Sequence, residues 1–564
     1  MKKNIFILLL FAFTLINCSN DEQIGSSDSS NPTNSAESIE VFLGQTHILQ
    51  PEDPLFGLVS ERDALIKVQV ISENGGQAPI VNAILSLNGT TQTLQLEGPS
   101  ELPTSFEINP GKVQHTFDDS FTATITKDWI KPGLSIRIEA GDENKQIDNL
   151  KIGAPNKIIM TMFDTHFFQY SVGDYPTGWK EELEAKWPSS GIELIRVPNV
   201  VFSELTVPPR GGNIIAARVS SKEEYKDITG YNFDGEQATA SQWNRALKEA
   251  AGKKGRYSLF YTNIYGVFSG GQAGGFAGVG NGKKIGLLHH ELGHAFSLPH
   301  WGNNNEYPYK GDMHGIEAPD IHNKTHAGPT WAYDPVKKYL IPPTIQENTI
   351  GWKGEVGQYK IDPMQGGGTG SQEQQYLLNH FSDYSVNKMR NYLQNHIVIW
   401  NEQSGNYASW DSNTGGYNNI LDNNGVNFAK ERNVEVLSVM AGVSSLTPQA
   451  NIIYPPIGPY QSGLIDLFNP EIEEDRLKAD EIYCPNGGCD VSLRIVQGGI
   501  TKLYMLPLEM DTSVEPSNAR SYKTKALNLR ASEGTVTKIE LLSTPDVEKN
   551  GLPDSPIVLY TWNN

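Results

Sequence analysis

Residues 289–301 read His-His-Glu-Leu-Gly-His-Ala-Phe-Ser-Leu-Pro-His-Trp, and four of these positions carry residue types that could do chemistry together. His290 and His294 are four apart, so on a helix their imidazoles share a face and can grip one Zn²⁺. Glu291, one position further along, can reach a water on that ion. His300 supplies a third nitrogen after the helix has ended and the chain has turned back. Three neutral ligands leave the ion positive with one position open for water, as catalytic rather than structural zinc requires. The chemistry implied is hydrolysis. Zinc lowers the pKa of its water towards about 7, and Glu291 takes the proton as that water attacks a peptide carbonyl, then delivers it to the leaving amine. One zinc per chain is expected.

The six-residue step from His294 to His300 resembles that of the metzincin peptidases. These usually place Gly three residues after the second His, where the backbone turns sharply; here the residue is Ser297, and Ser at positive φ costs about 1 kcal/mol. Glu317 stands as the alternative third ligand, as in zincins that use a downstream Glu. The resemblance also implies a Met beneath the zinc, and Asp362-Pro363-Met364-Gln365-Gly366-Gly367 looks like such a turn, with Met364 as that residue. Met313 and Met440 are the alternatives, Met440 lying in an apolar strand pattern that reads more simply as core. Some metzincins carry a helper Tyr two residues after the Met, but this chain has Gly366. His289 projects about 100° around the helix from the first ligand and is assigned to packing. His166, His314, His322 and His326 are read as surface or core residues.

These side chains need a scaffold. Half the positions between Ser269 and Gly282 are Gly, immediately before the apolar run that opens the metal helix. Such backbone approaches a ligand closely. Gly275, Phe276, Ala277 and Gly278 are accordingly expected to form an edge strand that pairs with extended substrate; a surface loop is the other reading. Around them, a nearly continuous apolar strand at 158–163, a helix at 179–187, a strand at 192–197, a helix capped by Ser241, a strand at 257–267 and a helix at 384–396 give α/β alternation. Upstream the pattern has period two, with Ile66, Val68 and Val70 alternating with Lys67 and Gln69, and Asn88-Gly89 marking a hairpin. Downstream of about residue 433 short strands and turns return. The acidic run 471–481 is read as a solvated face.

At the N-terminus Lys2 and Lys3 precede an apolar run from Ile5 to Ile16, which reads as a secretory leader. Leu15-Ile16-Asn17-Cys18 resembles the lipobox of bacterial lipoproteins, whose Cys is acylated, and Ser19-Asn20-Asp21-Glu22 resembles a tag for export to the outer face of the outer membrane. The expectation is a cell-surface lipoprotein on a polar tether. Cys484 and Cys489, separated by Pro-Asn-Gly-Gly, can close a small-loop disulfide or remain free thiols in a turn. The net charge of -20 excludes nucleic acid as a partner, since phosphate binding needs a basic face.

The chain is thus expected to be a multidomain α+β protein. It divides into a signal peptide (1–17), a lipidated tether (18–37), an N-terminal β-sandwich (38–151), a central metzincin-like α/β zinc peptidase domain (152–430) and a C-terminal β-rich domain (431–564). Gln45-Thr46-His47, Leu58-Val59-Ser60-Glu61-Arg62-Asp63, the Gly-rich run into the zinc helix, and Asp362 to Gly367 followed by Tyr384 to Trp410 make it similar to StcE-type mucin-cleaving metalloproteases. That resemblance implies a secreted endopeptidase acting on O-glycosylated, Ser/Thr-rich mucin-like glycoproteins, and a monomer is expected. Two other readings share the same residues: a general surface metalloprotease without glycan requirement, and a vestigial peptidase serving as a glycan-binding surface lipoprotein.

Overall fold

The computed structural model describes residues 38–564 except 106–113, 169–172, 211–213, 231–232, 252–257, 266–269, 283, 348–353, 366–370, 374, 421–430 and 485–487, with backbone alone at 233–238, 462 and 463. The leader, Cys18, the tether and Gly366 lie outside the described residues.

Period-two alternation puts apolar residues on one side of a strand, and two such faces close on each other at the N-terminal end. One antiparallel sheet has the order Ile48–Leu49, Ser38–Gly44, Ala64–Ile71, Phe121–Ile125; the other runs Thr90–Gln95, Val81–Leu87, Ser135–Ala140, Glu143–Ile147. Ile66, Val68, Ala83, Leu85, Ile136 and Ile138 meet in the shared core. Asn88 and Gly89 both have positive φ and join Val81–Leu87 to Thr90–Gln95, as a two-residue hairpin turn requires. Period-two alternation alone predicts a half-buried strand, but in Ala64–Ile71 Lys67 and Gln69 are buried as well. Their face is roofed by the hairpin of Ala332–Asp334 and Tyr339–Ile341, whose Tyr333 and Leu340 pack on Phe42 and Leu65. Lys67 donates to Ser120 Oγ at 2.7 Å beneath that roof.

The central sheet has the order Ile192–Phe202, Ile158–Phe167, Leu259–Tyr265, Ala277–Asn281, Gly271–Ala273. Its first four strands are mutually parallel and the last is antiparallel to its neighbour. A parallel sheet covered on both faces needs apolar residues on both, hence the run Ile158 to Phe163, broken only by Thr161, in strand Ile158–Phe167. On one face Met160, Met162 and Tyr261 pack against helices Trp179–Lys186, Ile285–Ala295 and Asp383–His396. On the other, Phe163, Phe167 and Phe260 meet Trp243, Ala246 and Leu247 of helix Phe233–Ala250. Ser241 lies inside that helix rather than at its cap, and its hydroxyl bonds Gln272 Oε1 at 2.8 Å. The helix starts before its apolar stripe does, so the stripe did not mark the end.

The C-terminal part shares this second core. The 14-residue strand Glu431–Ser444 pairs with Ile457–Ile465 and Tyr522–Arg530, and its Val436 and Met440 contact the same cluster. Met440 is therefore core. Its other face, through Val439 and Ala441, packs on a four-stranded antiparallel sheet ordered Ile500–Leu506, Val491–Gln497, Val536–Ser543, Ile557–Asn563. The acidic run forms the mostly exposed helix Glu473–Ile482, and Cys484 and Cys489 are disulfide-bonded with Cα atoms 5.3 Å apart.

The N-terminal motif residues join the first and second parts. Gln45 Nε2 donates to the carbonyls of Val59 and Arg62, and Val59 N donates back to its Oε1. Arg62 then spreads its guanidinium over the carbonyls of Ala185, Trp187 and Ser189, at the C-terminal end of helix Trp179–Lys186. A buried cation there meets the negative end of the helix dipole and satisfies carbonyls that have no intrahelical partner.

Candidate metal centre

His290 and His294 leave one face of helix Ile285–Ala295, and His300 returns to them after the helix ends. His300 Nε2 lies 3.1 Å from Nε2 of each of the other two. Two ligands held at about 2.0–2.1 Å by one tetrahedral ion stand about 3.3 Å apart, so the spacing fits Zn²⁺. The tautomers fit too. His290 Nδ1 donates to the Pro363 carbonyl at 2.7 Å and His294 Nδ1 to that of Leu298 at 2.6 Å, which leaves each Nε2 lone pair turned to the centre. Burial lowers the pKa of His290 to about 4 and also lowers that of His294, keeping both neutral and fit to ligate. His300 is exposed, so the centre opens to solvent on its side.

The return of His300 depends on a turn that the chain makes with difficulty. Ser297 has φ 72°, the left-handed conformation expected of the Gly usual there. Ser297 N and Leu298 N donate to the carbonyls of His294 and Gly293, so the strained turn is also hydrogen-bonded. Trp301, next to His300, is anchored: its N donates to the Met364 carbonyl, its indole Nε1 to Ser385 Oγ at 2.9 Å, and its ring stacks on Tyr307.

Met364 is fully buried under the helix, against Gly293, where any Cβ would overlap its sulfur. The Gly within the motif thus admits the Met. Asp362 holds this turn by accepting from Met364 N at 2.7 Å and from Ser382 N and Ser385 Oγ at 2.8 Å each. Met313 is not in this position; its backbone pairs with Ile316 in an outer loop. Glu317 is exposed, near Gln358, and outside the His cluster.

Glu291 is 4% exposed and its Oε2 has no hydrogen-bond partner. Burial pushes its pKa up to about 8, and a cation held by the three imidazoles would pull it back down. One wall of its site is backbone. A Cβ on Gly271 would fall within 2.5 Å of Glu291 Cγ and Cδ, so the carboxylate lies directly against the outermost strand.

Residues 112–398 match the family Peptidase M66. The chain belongs to the M66 peptidase family. Members are generally metallopeptidases, in keeping with a His290, His294 and His300 group able to hold a metal ion. The chain is also 27% identical over 572 residues to dictomallein of Burkholderia pseudomallei (strain 1710b), covering 89% of this chain and 79% of that protein. With dictomallein-2 of Dictyostelium discoideum it shares 26% over 637 residues, covering 99% of each.

In this M66 peptidase the residues expected to form the edge strand are corrected. Ala277 and Gly278 belong to Ala277–Asn281, which is paired on both sides, by Leu259–Tyr265 and by Gly271–Ala273. Gly275 and Phe276 lie in the turn before it, with Phe276 buried against Phe296. The edge is Gly271–Ala273, reached because the chain doubles back through Gly274-Gly275. Apart from their shared Gly content, nothing in the sequence separates the two strands. Gly271→Ala is expected to keep the metal, since its Cβ displaces a side chain and no ligand, yet to lower turnover about 100-fold by moving the carboxylate. Activity within threefold of wild type at equal zinc content would contradict this.

His289 packs as expected, donating Nε2–H to the Asn379 carbonyl at 3.0 Å and accepting from Trp187 Nε1 at 3.2 Å. His326 stacks on Tyr359 and His166 on Tyr265, both buried; His314 lies in a turn and His322 opens the 3-10 turn His322–Lys324, both outside the ligand cluster. Sequence reasoning missed the buried group under the site. Glu373 accepts from Lys186 Nζ at 2.5 Å and from His380 Nδ1 at 2.7 Å, while Glu182 accepts from the backbone of Leu377 and Leu378. These bonds fix the segment leading to Phe381, which packs on His289. Only the tertiary fold brings their partners together.

Proposed function

We propose that the chain is a zinc-dependent endopeptidase of the metzincin type, with His290, His294 and His300 as ligands, Glu291 as general base and Met364 beneath the metal. The observation that carries this is the convergence of three imidazole nitrogens beside an unpartnered, buried carboxylate and an open strand edge. A bound Zn²⁺ supplies a Lewis acid and acidifies water. The chain's own groups do the rest. Glu291 takes the proton of the attacking water and passes it to the leaving nitrogen. Gly271–Ala273 offers the open edge of the sheet to an extended peptide, orienting the scissile bond beside Glu291. The Nδ1 bonds to Pro363 and Leu298 hold the two helical imidazoles in position.

The substrates we propose are O-glycosylated, mucin-like proteins. Support comes from the motif resemblance to mucin-cleaving enzymes and from a physical argument: clustered glycans keep a chain extended, so less ordering entropy opposes its pairing with an edge strand. Chelator-sensitive cleavage of a mucin is expected, slowed at least about tenfold when the O-glycans are removed first. Equal rates on the intact mucin, its deglycosylated form and casein would establish the general protease reading instead.

We also propose that acylated Cys18 anchors the enzyme to the outer membrane at the cell surface. Cys18→Ala should release the protein from the membrane fraction or leave its leader uncleaved. Membrane retention equal to wild type would refute the anchor.

A further inference from the structure

A cavity of about 870 Å³, within the size range of small-ligand sites, lies between the N-terminal sheets and the small antiparallel sheet Val398–Asn401, Asn406–Asp411, Gly416–Asn419. Its walls are segments 132–135 and 148–153 on one side and Gln394 with residues 410 and 412–415 on the other, so no residue of the metal centre lines it. The walls are tied to each other. Gln394 Nε2 donates to Ser412 Oγ at 2.8 Å while its Oε1 accepts from Ala154 N at 3.2 Å. Across the cavity Gly415 rests on Pro132, where a Cβ would stand 2.9 Å from the proline Cβ. This is a braced junction, one that would hold its shape around a ligand.

The lining selects a chemistry. Its charged members are one carboxylate, Asp148, and one ammonium, Lys151, which oppose each other and give an ion of either sign little net attraction. Asn149 and Asn413 supply amides that an apolar ligand would leave unpaired, and the Thr414 hydroxyl, which donates to the Asp411 carbonyl at 3.4 Å, can still accept. Trp410, the lining's single aromatic ring, is half-buried and held edge-on to Tyr417 at 5.2 Å, so it presents a fixed apolar surface. A neutral molecule with many hydroxyls and an apolar C–H face matches all three features. We propose that this cavity is a binding subsite for a neutral oligosaccharide, separate from the metal centre. Its use in holding a glycosylated substrate rests on the proposed function above, whereas the binding itself does not.

The test titrates the full chain carrying Glu291→Gln, by calorimetry, with neutral oligosaccharides released from mucin by alkaline β-elimination. Saturable binding is expected, weakened at least about tenfold by Trp410→Ala, as for an aromatic anchor. Asn413→Arg, on the exposed hairpin tip, should weaken binding similarly by filling the mouth without touching the core. With Glu291 restored, both variants should cleave an unglycosylated peptide at the rate of the parent chain, which shows that they fold. The proposal is overturned if no oligosaccharide binds, if both variants bind as tightly as the parent, or if an unglycosylated peptide competes for the site. Chelator-sensitive cleavage is measured separately, so failure of the peptidase reading is distinguishable from failure of this one.

Discussion

Glu291→Gln is expected to keep one zinc per chain and to lose about 10²- to 10⁴-fold in peptide hydrolysis, the range for removing a positioned acid–base group. The two side chains have nearly the same shape, so the amide fits against Gly271 where the carboxylate lies. The ligand set is untouched, because the three nitrogens that converge belong to His290, His294 and His300. What disappears is the capacity to take up and release a proton. Burial raises the affinity of this carboxylate for a proton, and a metal cation held by the three imidazoles would lower it, so the two influences oppose each other. Zinc content by mass spectrometry and turnover of mucin or casein check this directly. A Gln variant working within tenfold of wild type would remove Glu291 as the base.

The second large effect is expected from His300→Ala, which should lose tight zinc, and activity with it, while remaining folded. Two imidazoles seldom retain Zn²⁺ unaided. His300 is exposed and outside the hydrophobic clusters, so its truncation opens no cavity in the core. The turn that delivers it is held independently, by the Trp301 bonds to Met364 and Ser385 and by the Ser297 and Leu298 bonds to the helix end. The circular dichroism spectrum should therefore match wild type while zinc after dialysis falls below about one tenth per chain. Stoichiometric zinc in this variant would sink His300 as a ligand.

Local rules made much of this protein legible from its residues. The four-residue step from His290 to His294 depends only on helix periodicity, and helix Ile285–Ala295 forms from a local apolar run. Positive φ at Ser297, Asn88 and Gly89 follows from turns of two or three residues, whose geometry is set within the turn itself. The closing of Cys484 to Cys489 spans five positions and belongs to the same class.

What needed the tertiary structure were relations between distant segments. The identity of the edge strand depends on which side of Ala277–Asn281 is already taken, and Leu259–Tyr265 takes one while the returning Gly271–Ala273 takes the other. Polar Lys67 is buried because a hairpin more than 260 residues later roofs it. Arg62 caps a helix end about 120 residues away, and Gly271 serves Glu291 only because the strand passes its side chain. Side-chain periodicity reports the solvent exposure an element would have alone, so it carries no record of a cover supplied from elsewhere in the chain. The residues determined which groups could do chemistry; packing decided which backbone stands beside them.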